Sequence, residues 1–249
     1  MALALPLGLA IGVSLGALGG GGAVLALPVL VYVLGMDVHA ATTTSLLVVV
    51  AAAIAGGAAQ TWRAQVCWVH VATFAPGALG GAVAGTFANE AVGGEVLLFA
   101  FVPVLLAAAA FTWRRAAGSD DGEEGCPPLD RRRTFAAGVA VGALTGFLGV
   151  GGGFLIVPIL ILGMRFPLRR AFGTSLVIVG FVSLAGLGAH LWRGADLEVG
   201  PAAAMALGCA LGAVAGVRWA ARLPRRALGR TFAVLLVAVA AFVLAAGLL

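Results

Sequence analysis

Four consecutive glycines, Gly19 to Gly22, interrupt an otherwise unbroken apolar stretch from residue 3 to residue 35, and Pro28 follows six residues later. Each glycine weakens a helix by about 1 kcal/mol relative to alanine and offers no side chain for packing. The helix is predicted to break there. Broken backbone carries unpaired N–H and C=O groups, which at membrane depth are tolerated only beside protein or a water-filled cavity. The glycines therefore mark either a close helix crossing or a place where free N–H groups meet a ligand.

Composition makes membrane depth the relevant setting. Of 249 residues 62% are hydrophobic and 10% charged, and mean hydropathy is +1.11, which describes a polytopic membrane protein rather than a soluble domain. All 15 basic residues are arginine. A net charge of +5 spread over so few charges points to no nucleic-acid partner. Cys67, Cys126 and Cys209 stand singly, so neither a metal site nor a disulfide framework is indicated. Cys67 and Cys209 read as helix-packing or boundary residues, and Cys126 as a loop thiol. The chain enters its first helix without a basic leader or a small-residue cleavage site, so no removable signal peptide is expected.

The pattern occurs twice. Gly8, Gly12, Gly16, Gly19, Gly21, Gly22, Pro28, Thr44, Ser45, Trp62 and Arg63 recur 130 residues on as Gly138, Gly142, Gly146, Gly149, Gly151, Gly152, Pro158, Thr174, Ser175, Trp192 and Arg193. After a one-residue slip, Gly77, Gly81 and Gly85 recur as Gly208, Gly212 and Gly216. Such duplication is the usual construction of secondary transporters. The expected division is a first transmembrane repeat at 1–113, a linker at 114–133 and a second repeat at 134–249. The linker carries ten of the 25 charges and reads as solvated and disordered. Within each repeat two short apolar runs flank the glycines. Three runs of spanning length follow, near 41–61, 67–87 and 95–113, then 171–191, 199–217 and 227–247.

Arginine placement separates two topologies. A single kinked crossing at the glycines would leave seven arginines on one side and eight on the other. A hairpin that returns to its own side puts fourteen on one side, in segments 61–67, 114–133, 165–170 and 217–230, and leaves Arg193 alone opposite. The positive-inside rule favours the hairpin. The resulting expectation is an all-α polytopic membrane protein of two inverted repeats, each a glycine-broken helical hairpin plus three transmembrane helices. The linker is then cytoplasmic, both termini lie outside, and the hairpin tips meet near the midplane.

At each tip a returning helix begins, near Ala23 and Phe154, and its free N–H groups and partial positive charge suit an anion. The candidate substrate-binding residues are Gly19, Gly20, Gly21, Gly22, Gly149, Gly151, Gly152 and Gly153, with the hydroxyls of Thr43, Thr44, Ser45, Thr174 and Ser175, which begin the next helices. The same hydroxyls serve equally as helix caps. No acidic residue lies well inside an apolar run, which disfavours cation transport. The remaining glycine ladders read as helix-packing faces and the tryptophans as interfacial residues. Gln60, its repeat mate His190 and His70 lie near boundaries. No catalytic group, metal ligand or cofactor is indicated.

With these motifs assembled the chain resembles the TauE/SafE sulfite exporter family, also called the toluene-sulfonate uptake permeases. The resemblance rests on Gly12-x3-Gly16-x2-Gly19-Gly20-Gly21-Gly22-x5-Pro28, on Ala41-Thr42-Thr43-Thr44-Ser45, and on their copies through Gly149-Val150-Gly151-Gly152-Gly153, Pro158 and Gly173-Thr174-Ser175. One departure is Val150, which stands where Gly20 stands in the first copy. The resemblance implies movement, most simply export, of sulfite, sulfonates or related anions across a prokaryotic cytoplasmic membrane without ATP, the glycine tips and Thr-Ser pairs contacting substrate. The partners are then a small anion and the lipid bilayer, and no feature specifies an oligomeric state. A membrane-embedded enzyme or an assembly factor handling sulfur or metal is the rival class, and an anion channel a second. No zinc-type His pair or nucleophile motif supports the enzyme.

Overall fold

A computed structural model describes residues 4–36, 38–90, 94–117, 125–148, 153–192 and 199–247. Among these there are helices and turns and no strands. The first repeat comprises α1 (Ala4–Leu18), a 3-10 turn at Gly19–Gly22, α2 (Ala23–Pro28) continuing as a π-helical turn over Val29–Val33, α3 (Val38–Trp62), α4 (Trp68–Glu90) and α5 (Gly94–Ala117). The second comprises α6 (Arg131–Leu148), α7 (Gly153–Met164), α8 (Leu168–Trp192), α9 (Val199–Ala220) and α10 (Arg225–Gly247). Ala40–Trp62, Leu168–Ala189 and Ala202–Ala220 are long and apolar enough to cross a bilayer.

The predicted break falls on the four glycines. Gly19 takes φ +66°, a conformation that side chains disfavour. Beyond it the chain folds back, so that a Cβ on Gly22 would lie 2.5 Å from the backbone nitrogen of Leu15. Residues seven apart in a straight helix are about 10 Å apart.

Packing exchanges elements between the repeats. Gly8, Gly12 and Gly16 on α1 press against the backbone carbonyls of Met205, Cys209 and Ala213 on α9, while Gly208, Gly212 and Gly216 press back on those of Leu5, Leu9 and Val13. The mates of this pair do the same. Gly138 and Gly142 on α6 meet the carbonyls of Phe74 and Ala78 on α4, and Gly77 and Gly81 meet those of Phe135 and Val139. Both pairs are parallel. With no Cβ on either ladder, the backbones approach closely enough for dispersion and Cα–H···O contacts. Each repeat's first helix thus finds its main partner in the other repeat.

The long mates α3 and α8 cross antiparallel. A Cβ on Gly56 would meet Leu176 Cδ2 at 2.9 Å, one on Gly180 would meet the Cβ of Ala53 at 2.6 Å, and one on Gly186 would meet Leu46 Cδ1 at 3.5 Å. The first and last contacts are repeat images of each other, Gly56 matching Gly186 and Leu176 matching Leu46 at a spacing of 130.

The two helices that precede α3 and α8 end in the same way. Met36 donates its N–H to the carbonyl of Leu30, and Phe166, 130 residues on, donates to that of Leu160. Gly35 supplies the left-handed residue for the first closure at φ +65°, whereas Arg165 adopts φ +56° in the second.

One sequence expectation is corrected. The hydroxyl residues do not begin their helices: α3 starts at Val38 and α8 at Leu168, so Thr43, Thr44, Ser45, Thr174 and Ser175 lie beyond the first turn, where N-capping is excluded. Between the repeats α5 runs to Ala117 and α6 starts at Arg131. Asp130 caps α6 by accepting the N–H groups of Arg132 and Arg133 at 3.1 Å each.

Candidate substrate site at the glycine turns

The first glycine turn touches the start of α7. A Cβ on Gly20 would lie 2.5 Å from the carbonyl oxygen of Gly153, and one on Gly153 would lie 2.5 Å from that of Gly20. Val179 of α8 fills the space beside both, its Cγ2 standing 2.5 Å and 2.9 Å from those same two Cβ positions. Two side-chain-free backbones are needed for this approach. Gly149, Gly151 and Gly152 lie outside the described residues. Of the second turn, Gly153 is the candidate that can be placed.

One hydroxyl of α8 reaches the first turn. Gly20 donates its N–H to Ser175 Oγ at 3.4 Å, and Ser175 donates its own proton to the carbonyl of Phe172 at 3.0 Å. Gly19 packs against the same Oγ and the Phe172 carbonyl. Thr174, one residue earlier, accepts the N–H of Cys67 at 3.1 Å and so bonds the α3–α4 turn to α8. Thr43, Thr44, Thr174 and Ser175 are all fully buried, while Ser45 is half-buried. Thr44 differs from its mate Thr174. Its Oγ1 has no hydrogen-bond partner among the described residues, and a buried hydroxyl left so costs about 1–3 kcal/mol.

Neutral groups make up this region. No Arg, Asp or Glu is buried among the described residues, and no cluster of metal-ligating side chains occurs among them. Amide N–H groups and hydroxyls are the donors here that can hydrogen-bond a small anion without a fixed opposite charge.

Charge gathers instead at one end of the bundle. Arg169 at the start of α8 donates to the carbonyls of Ala221 at 3.2 Å and Leu223 at 2.9 Å, holding the turn between α9 and α10. Arg230 places its guanidinium 5.4 Å above the ring of Trp113 near the end of α5. Cys67, after α3, is disulfide-bonded to Cys126 of the linker, with Cα atoms 5.9 Å apart. Arg170 points to both sulfurs, 3.4 Å from Cys126 Sγ and 4.0 Å from Cys67 Sγ. All four arginine-bearing segments are thereby brought together. The disulfide corrects the reading of Cys67 as a packing residue and Cys126 as a loop thiol. Their spacing of 59 residues carried no signal, because the approach depends on how α4 packs on α6. Val179 was equally hidden, as one valine in an apolar run.

A helical bundle with three helices long and apolar enough to cross a bilayer is that of a polytopic membrane protein, and the comparisons with known proteins give its class as membrane transporter. The family model described as sulfite exporter TauE/SafE matches residues 4–243, and the chain belongs to that family. A "Probable membrane transporter protein" of Xylella fastidiosa strain 9a5c is 34% identical over 176 residues, covering 70% of this chain and 67% of the relative. The protein of the same description from strain Temecula1 matches to the same extent. A shorter stretch of 54 residues, 22% of this chain and 20% of the relative, is 39% identical to a "Probable membrane transporter protein" of Methanocaldococcus jannaschii. No solved structure matches.

Proposed function

We propose that the protein is a secondary transporter of small sulfur-containing anions, such as sulfite or organosulfonates, working as an exporter by alternating access around the paired glycine turns. The observation that carries this reading is the apposition of Gly20 and Gly153, with Ser175 bonded to the first turn. Backbone amides at the first glycine turn and at the start of α7 are uncharged donors of the kind that suits an oxyanion in transit.

The repeats are read as inverted. Antiparallel packing of the mates α3 and α8 supports this, since two spanning mates that run in opposite directions have opposite topology. The gathering of Arg63, Arg169, Arg170, Arg230 and the linker at one end supports a cytoplasmic orientation for that end of a cell-membrane protein, with both termini outside. The arginines there would also draw anions to the cytoplasmic mouth. The glycine turns and the Thr-Ser hydroxyls are read as substrate contacts.

Flux tests the reading directly. Purified protein in liposomes preloaded with sulfite or an organosulfonate is expected to release the anion faster than protein-free liposomes, with saturation and with acceleration by the same anion outside. Absence of flux across a panel of sulfur oxyanions would overturn it, and flux that never saturates would favour a channel. A reporter fused after Leu249 that matures in the cytosol would overturn the orientation.

A further inference from the structure

We propose that Cys67, Cys126 and Arg170 form a reactive disulfide site, opened by an anionic sulfur nucleophile that attacks Cys126 and displaces Cys67. Exposure favours one direction of attack. Cys67 is 3% exposed, whereas Cys126 is exposed, so an attacking group from solvent meets Cys126 first. Arg170 stands within 4.0 Å of both sulfurs, where its guanidinium draws an anion in and stabilises the thiolate that leaves.

The step balances without an oxidant or reductant. The nucleophile's sulfur lone pair forms a bond to Cys126 Sγ, the Cys67–Cys126 bond breaks, and its electron pair remains on Cys67 as thiolate beside Arg170. Sulfite leaves an S-sulfonate on Cys126, and a thiolate such as glutathione leaves a mixed disulfide. A sulfonate has no lone pair on sulfur and does not react. The site deepens the transport reading above, on which its cellular role rests. With the arginine-rich end in the cytoplasm, a disulfide there belongs to the class that is transient or sensing rather than structural. It is also coupled to the candidate substrate site, because the N–H of Cys67 is bonded to Thr174 Oγ1 and Cys126 tethers the linker to the same turn.

The test uses the purified full chain treated separately with sulfite, reduced glutathione and an organosulfonate, read by intact mass and by peptide mapping after alkylation. The first two are expected to add once, on Cys126, and to make Cys67 alkylatable, while the sulfonate leaves the protein unchanged. Arg170→Gln is expected to slow both additions about tenfold and Arg170→Lys to restore them, with Cys126→Ser giving no adduct. Addition to Cys67, an Arg170→Gln rate equal to wild type, or two alkylatable thiols before any treatment would overturn the proposal. Reaction with glutathione but not sulfite would make the site a thiol sensor, and the reverse a sensor of the proposed substrate. Liposome flux without adduct would end this proposal and leave the transport reading standing; adduct without flux would do the opposite.

Discussion

Gly20 and Gly153 face one another so closely that a Cβ on either would stand 2.5 Å from the carbonyl oxygen of the other. They are separated by 133 residues and belong to different repeats. Side-chain-free backbone on both sides is a condition of the contact, and the contact brings the first glycine turn to the start of α7.

Alanine at either position forces the turns apart. Gly20→Ala also strikes Val179 Cγ2, so an overpacking loss of about 1–3 kcal/mol is expected in detergent thermal unfolding, together with a fall in anion flux. The Gly20→Ala, Gly153→Ala double variant is expected to lose less than the sum, since both substitutions break one contact. Strict additivity would mean that the two glycines act separately.

The ladders predict a contrast among glycines. Gly12→Ala on α1 and Gly142→Ala on α6 each drive a methyl into a carbonyl of the partner helix, and each is expected to destabilise by about 1–3 kcal/mol. Gly80 and Gly188 sit in helices with nothing within 4 Å of a Cβ, so Gly80→Ala and Gly188→Ala are expected to be neutral or stabilising by up to about 1 kcal/mol. Equal losses at all four positions would refute the packing account.

The threonine mates should separate stability from transport. Thr174→Val removes the acceptor of a buried N–H and is expected to lower stability by about 1–2 kcal/mol. Thr44→Val removes a hydroxyl that has no partner among the described residues, and is expected to leave stability unchanged or slightly raised while lowering flux. Unchanged flux in both single variants and in the double variant would reduce these residues to structural roles.

Arg169 predicts a change in the α9–α10 turn. Replacing it by Met keeps the stem and removes two charge-assisted hydrogen bonds to the carbonyls of Ala221 and Leu223, for an expected loss of about 1–3 kcal/mol. Hydrogen exchange at residues 221–223 is expected to rise before the rest of the chain melts. Wild-type protection of that turn would show that the contact holds nothing in place.

Much of this architecture was legible in the residues. The helix break at Gly19–Gly22, the ten helical segments to within a few residues, the duplication, and the segregation of arginines all follow from local composition, because hydrocarbon admits only helices and excludes charge. Partner choice was not legible. The ladder of Gly8, Gly12 and Gly16 is repeated in Gly138, Gly142 and Gly146, so either copy suits a close crossing and neither specifies which helix it meets. Only tertiary packing set α1 against α9 and α6 against α4, and it also bonded Gly20 to Ser175, placed Val179 beside both turns and brought Cys67 to Cys126. Apart from Val179 against Gly153, those are contacts between groups more than fifty residues apart, and two halves that share one motif pattern carry the same local signals whether they pack within themselves or exchange.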